Sequence, residues 1–134
     1  MYATDGDTES LHNLRENLGR NKVVIGNSCD MKCCQLRWGM NLVEFARHLS
    51  AEVSIQGRFD VMIGSDIIYV ESILDPLFLT VDALLRADSE GVFILAYARR
   101  NVKIDLVLST ATRYGFVWTQ PNGEEGCFVF SRHM

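Results

Sequence analysis

Apolar residues follow two different spacings along this chain of 134 residues. In four stretches they recur every three or four positions, as on one face of an α-helix. Those stretches are marked by Leu11, Leu14 and Leu18, by Leu42, Phe45 and Leu49, by Leu77, Val81 and Leu84, and by Ile104, Val107 and Ala111. Between them lie short runs of β-branched and aromatic residues, which predict strands at 2–4, 31–38, 57–70, 91–98, 116–118 and 127–131.

The order of these elements predicts an α/β fold. Strands and helices alternate along most of the chain, which favours a mostly parallel, Rossmann-like sheet flanked by helices. The last two strands are joined by the short turn Pro121-Asn122-Gly123 and predict an antiparallel hairpin. We therefore expect one domain, with Arg99-Arg100-Asn101 closing the strand at 91–98 and with loops at 22–30 and 50–58. The first loop contains Gly26-Asn27-Ser28, although Val23-Val24-Ile25 could pair briefly as a strand.

The run at 57–70 contains the first candidate site. Its apolar residues suit a strand buried on both faces, and Gly64-Ser65-Asp66 interrupts it. Ligands of open α/β sheets bind at the carboxyl ends of strands, so Asp66 and Tyr69 would place an acid and a phenol near a pocket. The alternative is that Asp66 caps a turn while Tyr69 packs on the next helix.

Two further positions suggest nucleotide binding. Asp5 follows a predicted strand and precedes a helix capped by Asp7, which is where α/β domains bind ribose hydroxyls; it could equally be a turn aspartate. Trp38 ends another predicted strand and offers a flat face for an adenine ring, although such a side chain is more often part of the core. Asn41 with Glu44 and Asp75 with Pro76 predict the starts of two further helices.

Composition narrows the functional classes. A net charge of −4 argues against a general nucleic-acid or membrane-surface binder. No apolar run reaches membrane-spanning length, so we expect a soluble protein of the cytoplasm. Cys29, Cys33, Cys34 and Cys127 lack the spacing of a zinc site, and we expect reduced thiols and no metal.

Taken together, Asp5, Leu36-x-Trp38-Gly39, Ser65-Asp66-x-x-Tyr69 and the terminal hairpin resemble the class I S-adenosylmethionine-dependent methyltransferases. The closest resemblance is to the seven-β-strand protein-lysine methyltransferases, the group that includes the calmodulin-lysine and valosin-containing-protein lysine methyltransferases. The segment from Ala3 to Asn17 is also similar to the helix after the second strand in that group.

The resemblance implies a cofactor, a substrate and a role for each residue. Asp5 would bind the ribose of S-adenosyl-L-methionine, Trp38 would lie against its nucleoside end and Ser65 would contact it. Asp66 and Tyr69 would face the lysine amine of a protein substrate and orient it for attack on the methyl group. No nucleic acid or membrane partner is implied.

One departure from the family opens a second functional hypothesis. In the family, a glycine-rich loop that binds the donor follows the first strand, which lies in the middle of the sheet. Neither that strand nor that loop has a counterpart in this chain. We therefore expect the C-terminal portion of a longer enzyme, with a further segment or chain completing the sheet. The alternatives are a non-catalytic module that acts as a partner or regulatory subunit, and a fragment of another α/β nucleotide binder such as a dehydrogenase. The hairpin and Trp38-Gly39 count against the latter.

Overall fold

The computed structural model describes residues 1–26, 29–50, 58–98 and 101–133. These residues form two compact units, 1–40 and 41–134, which are described separately. Asn27, Ser28, Arg99 and Arg100 lie outside the described residues, as does most of the predicted loop at 50–58. The interpretation of the chain as a single domain stays a prediction.

The first unit contains two parallel strands and the helix that connects them. Its elements are β1 (Tyr2–Asp5), α1 (Thr8–Arg20), α2 (Lys22–Ile25) and β2 (Lys32–Gln35). β1 and β2 pair in parallel, with Asp5 opposite Gln35. α1 begins where the sequence predicts, because an Asp7 carboxylate oxygen accepts the Ser10 N–H at 2.8 Å. Leu11 is the residue of α1 that is buried.

Two elements of this unit differ from the prediction. Val23-Val24-Ile25, which could have paired as a strand, forms the short helix α2, and Val23 and Val24 are exposed. β2 ends at Gln35 rather than at Trp38. A turn follows in which the Met40 N–H donates to the Arg37 carbonyl, and Gly39 has a φ of 75°. The Trp38-Gly39 pair is therefore a turn signal, since glycine adopts this φ without strain.

The second unit contains a four-stranded sheet with three helices. Its elements are α3 (Leu42–Ser50), β3 (Val61–Ser65), α4 (Leu74–Leu84), β4 (Val92–Ala96), α5 (Ile104–Arg113), β5 (Phe116–Thr119) and β6 (Cys127–Arg132). The strand order is β3-β4-β6-β5. β3 and β4 are parallel, while β6 pairs antiparallel with both β4 and β5. The mixed α/β fold and the terminal hairpin are confirmed.

One predicted helix start is wrong by two residues, whereas the other is confirmed in position. α4 begins at Leu74, directly after a 3₁₀ turn at Glu71–Ile73, so Asp75 and Pro76 lie inside its first turn. Proline is tolerated there because the first N–H groups of a helix have no partner within it. Asn41 precedes α3 with a φ of 52°, in the left-handed region rather than the extended conformation of a capping-box residue.

One face of the four-stranded sheet forms the core of this unit. Phe78 of α4 is fully buried and packs against Phe130 and Phe93, with ring centroids 5.6 and 6.3 Å away. It also lies 6.3 Å from the Phe116 ring of β5. Every second residue of β4 and β6 is buried on this face. α4 thus secures the sheet through aromatic side chains supplied by three strands.

The opposite face corrects a sequence prediction. Val61 and Ile63 of β3 are 50% and 75% exposed, so this strand is not buried on both faces. Their neighbours on the same face, Ile94 and Val129, are half-buried. Among the described residues, β3 is also an edge strand of the four-stranded sheet. The expectation that a further segment completes the sheet stays a prediction.

Candidate functional site

Asp5 lies exposed at the carboxyl end of β1. One of its carboxylate oxygens, Oδ1, accepts the Asp7 N–H at 2.9 Å, which fixes the side chain over the turn before α1. The backbone carbonyl of Asp5 accepts the Leu36 N–H, so the parallel pairing continues one residue past β2. This places a carboxylate with a free face at a strand end, where a ribose diol would be bound.

Trp38 follows β2 at the same edge of the first unit. The segment before it is held against the turn after β1, because Gln35 Nε2 and Arg37 Nε both donate to the Gly6 carbonyl, at 3.0 and 3.4 Å. Trp38 itself is half-buried. Within this unit the structure therefore brings the segments of Asp5 and Trp38 to one end of the two parallel strands.

Ser65 and Asp66 lie at the carboxyl end of β3 in the second unit. Ser65 is exposed and stands opposite Ala96 in the parallel register. Asp66 is half-buried and its N–H donates to the Ala96 carbonyl at 3.0 Å, which extends the ladder beyond the strand. Its φ is 56°, in a region that non-glycine residues adopt uncommonly and that is enriched at functional sites.

Tyr69 is presented to solvent three residues later. Ile68 is completely buried, whereas Tyr69 and Val70 are 60% and 55% exposed. Tyr69 therefore does not lie in the core, and the alternative in which it packs on the next helix stays a prediction. The burial of Ile68 anchors this segment, and the exposed side chain of Tyr69 directly follows it in the sequence.

Sequence reasoning missed the part that Gly64 plays at this turn. A Cβ atom on Gly64 would lie 2.5 Å from Cδ1 of Ile67, which is closer than non-bonded carbon atoms approach. The side chain of Ile67 therefore rests over the glycine. The available signal was a glycine inside a strand pattern, which marks a close approach to the backbone.

The five candidate residues thus form two groups. Asp5 and Trp38 belong to the first unit, while Ser65, Asp66 and Tyr69 belong to the second. Each group lies at the carboxyl end of parallel strands, and the convergence of both groups on one ligand stays a prediction.

Among the described residues, no three His, Cys, Asp or Glu side chains are grouped to hold a metal ion. All four cysteines are free thiols. None of the described helices has the length and apolar character needed to cross a membrane.

Comparison with known proteins gives a family over most of the chain. A family model described as lysine methyltransferase matches residues 1–112. That range includes both groups of candidate residues and ends within α5. No curated protein matches the chain.

Proposed function

Because this chain belongs to the lysine methyltransferase family, we propose that it transfers a methyl group from S-adenosyl-L-methionine to the side-chain amine of a lysine in a protein substrate. The observation that carries the proposal is the family match over residues 1–112, which spans Asp5, Trp38, Ser65, Asp66 and Tyr69. The positions of those residues at strand ends or in the segments that follow them support it.

Three residues would bind the methyl donor. S-Adenosyl-L-methionine supplies a methyl group on a sulfonium, which needs alignment with its acceptor more than acid–base assistance. Asp5 keeps its Oδ2 for ribose hydroxyls while Oδ1 is held by the Asp7 N–H. Ser65 is exposed at the carboxyl end of β3, so its side chain can reach a ligand there. Trp38 would contact the nucleoside end.

Asp66 and Tyr69 would orient the attacking amine. The lysine must be neutral to attack, and a lone carboxylate nearby would favour the charged form. We therefore assign Asp66 the role of a hydrogen-bond acceptor that fixes the direction of the amine, rather than that of a strong base. The phenol of Tyr69 can accept or donate a hydrogen bond, and its ring can wall a cationic product.

A protein is the acceptor that suits this surface best. Tyr69 and Val70 together expose large apolar side chains beside the candidate residues. This small exposed patch is compatible with contact to a protein substrate, and the family match carries the assignment. The free cysteines support a reducing compartment, and we include the cytoplasm in the proposal.

Calorimetry with S-adenosylhomocysteine, the demethylated donor, tests donor binding. We expect a dissociation constant in the micromolar range and a marked loss of affinity for Asp5→Ala. Asp105→Ala is the matched control, because Asp105 is exposed in the first turn of α5. If Asp5→Ala binds as the unmodified chain does, the ribose role of Asp5 is wrong.

A transfer assay tests the enzyme against the non-catalytic alternative. Incubation with radiolabelled donor and a lysine-containing protein pool should label an acceptor, and labelling should vanish when acceptor lysines are blocked. Absence of binding at millimolar S-adenosylhomocysteine, together with absence of labelling, would favour a partner or regulatory module.

A further inference from the structure

The buried Gly64 lies directly beneath the side chain of Ile67. An added Cβ at Gly64 would lie 2.5 Å from Cδ1 and 3.3 Å from Cγ1 of Ile67, and 3.4 Å from the Phe93 ring. Any larger residue at position 64 must displace Ile67, because on its other side Phe93 belongs to the aromatic core. An alanine at this position therefore fits only if the end of the Ile67 side chain moves away from its place over Gly64.

Asp66 lies between these two residues, at the point where the chain turns. Its N–H is fixed to the Ala96 carbonyl at 3.0 Å, and its φ of 56° directs the following residue back over the strand. An unusual φ persists only where the surroundings determine it on both sides. Here the hydrogen bond from the Asp66 N–H to the Ala96 carbonyl fixes the backbone before the turn, and the packing of Ile67 on Gly64 fixes the backbone after it.

We propose that Gly64 and Ile67 are positioning residues, whose contact sets the direction in which Asp66 and Tyr69 are presented. The catalytic meaning of this inference rests on the proposed function, while the contact and its effect on Asp66 do not. Ile68 is fully buried, so the backbone between the turn and Tyr69 is also held in place. Ser65 precedes the turn and is held in register with Ala96, so donor affinity should depend little on the contact.

The test is Gly64→Ala in the 134-residue chain. The added methyl group should displace Ile67 and release the turn, so that the Asp66 amide exchanges with deuterated solvent about tenfold faster. Misplaced acceptor groups should lower kcat by about ten- to a hundredfold. The dissociation constant of S-adenosylhomocysteine should change by less than about twofold, because Ser65 stays in the ladder.

A second-site rescue distinguishes the contact from a general loss of structure. Ile67→Val removes Cδ1, the atom nearest to the added methyl group. Gly64→Ala with Ile67→Val should therefore recover the slow exchange of the Asp66 amide and most of kcat. Gly19→Ala is the matched control, since nothing lies within 4 Å of the corresponding position in α1.

Each outcome bears on the inference. The inference is overturned if Gly64→Ala leaves the exchange rate of the Asp66 amide and kcat unchanged. It is also overturned if the variant loses donor affinity by the same factor as kcat and melts at a clearly lower temperature. It is equally overturned if Ile67→Val gives no recovery. If the unmodified chain transfers no methyl group, the proposed function fails, and the exchange measurements alone still decide whether the contact positions Asp66.

Discussion

Asp66 combines an uncommon backbone conformation with a candidate chemical role. A φ of 56° disfavours most side chains, but Asp and Asn tolerate it better than others. The position therefore admits a carboxylate where a β-branched or bulky residue would be strained. The backbone of the turn and the proposed orientation of the amine both constrain the same residue.

Tyr69→Phe tests the role of the phenol. The ring remains and only the hydroxyl is lost, so an orienting hydrogen bond should cost about tenfold in kcat or more. The dissociation constant of S-adenosylhomocysteine should stay nearly constant, because Tyr69 is proposed to face the acceptor. A loss of donor affinity as large as the loss of kcat would show that Tyr69 is structural.

Asp7 illustrates how a local signal can be read directly from sequence. Its hydrogen bond from the Ser10 N–H holds the pKa of the Asp7 carboxyl below its usual value of 3.8. The depressed pKa means that the folded state favours the carboxylate. Its stabilisation is therefore present above pH 3.8 and is lost as the pH falls through the folded-state pKa.

Variants of Asp7 should show that pH dependence. Asp7→Ala should speed exchange of the Ser10 amide near neutral pH, and the difference from the unmodified chain should shrink in acid. Asp7→Asn is the control, because asparagine caps a helix without a titrating charge. A difference that persists below the folded-state pKa would contradict the assignment.

At the scale of elements, local patterns predicted what local contacts determine. The spacing of Leu77, Val81 and Leu84 gave the buried face of α4 correctly. The start of that helix was predicted two residues too late, because the preceding 3₁₀ turn and the burial of Leu74 extend it towards the amino end. Tertiary burial decided a boundary that the Asp75-Pro76 pair alone could not.

The contact of Gly64 with Ile67 marks where sequence reasoning ended. It depends on the pairing of β3 with β4, which holds Asp66 on the Ala96 carbonyl thirty positions away in the chain. No spacing rule within 64–69 contains that information. The glycine was visible as an interruption, but its neighbour became apparent only in the folded chain.

Phe78 and Leu79 provide a matched pair on α4. Phe78 is fully buried among aromatic rings, while Leu79 is 42% exposed. Phe78→Ala should lower the free energy of unfolding by about 3–5 kcal/mol, measured by urea denaturation. Leu79→Ala should have an effect of about 1 kcal/mol or less. Similar losses for both would contradict the assignment of the core.

Gly126 and Gly123 form a second matched pair, in the segment that leads into β6. Both have positive φ values, 83° and 80°, but only Gly126 faces a neighbour, since a Cβ there would lie 2.8 Å from the Tyr97 carbonyl oxygen. The Tyr97 N–H also donates to the Gly126 carbonyl.

Their alanine variants separate conformational strain from a steric clash. Gly123→Ala should cost about 1–2 kcal/mol of unfolding free energy through strain alone. Gly126→Ala should cost clearly more, because the clash adds to the same strain. Urea denaturation of both variants measures the difference, and equal costs would show that the approach to Tyr97 is not tight.

At the scale of the whole molecule, the candidate residues were predictable as two local groups but not as one site. The motif order indicated the family, and the match over 1–112 establishes it. The prediction that β3 is buried on both faces was wrong. Composition shows that a strand is apolar, but it does not show whether other elements pack on each of its faces. Val61 and Ile63 remain apolar and exposed.

That exposed strand has a consequence for handling the protein in solution. Among the described residues β3 is an end strand with two exposed β-branched side chains, which favours unwanted pairing between molecules. The apparent molar mass from light scattering should therefore rise with concentration. Ile63→Lys should suppress the growth, because a charged end strand repels its copies. Thr119→Lys, at the opposite margin of the same sheet, is the comparison. Crystallisation and storage would then depend on a single side chain of β3.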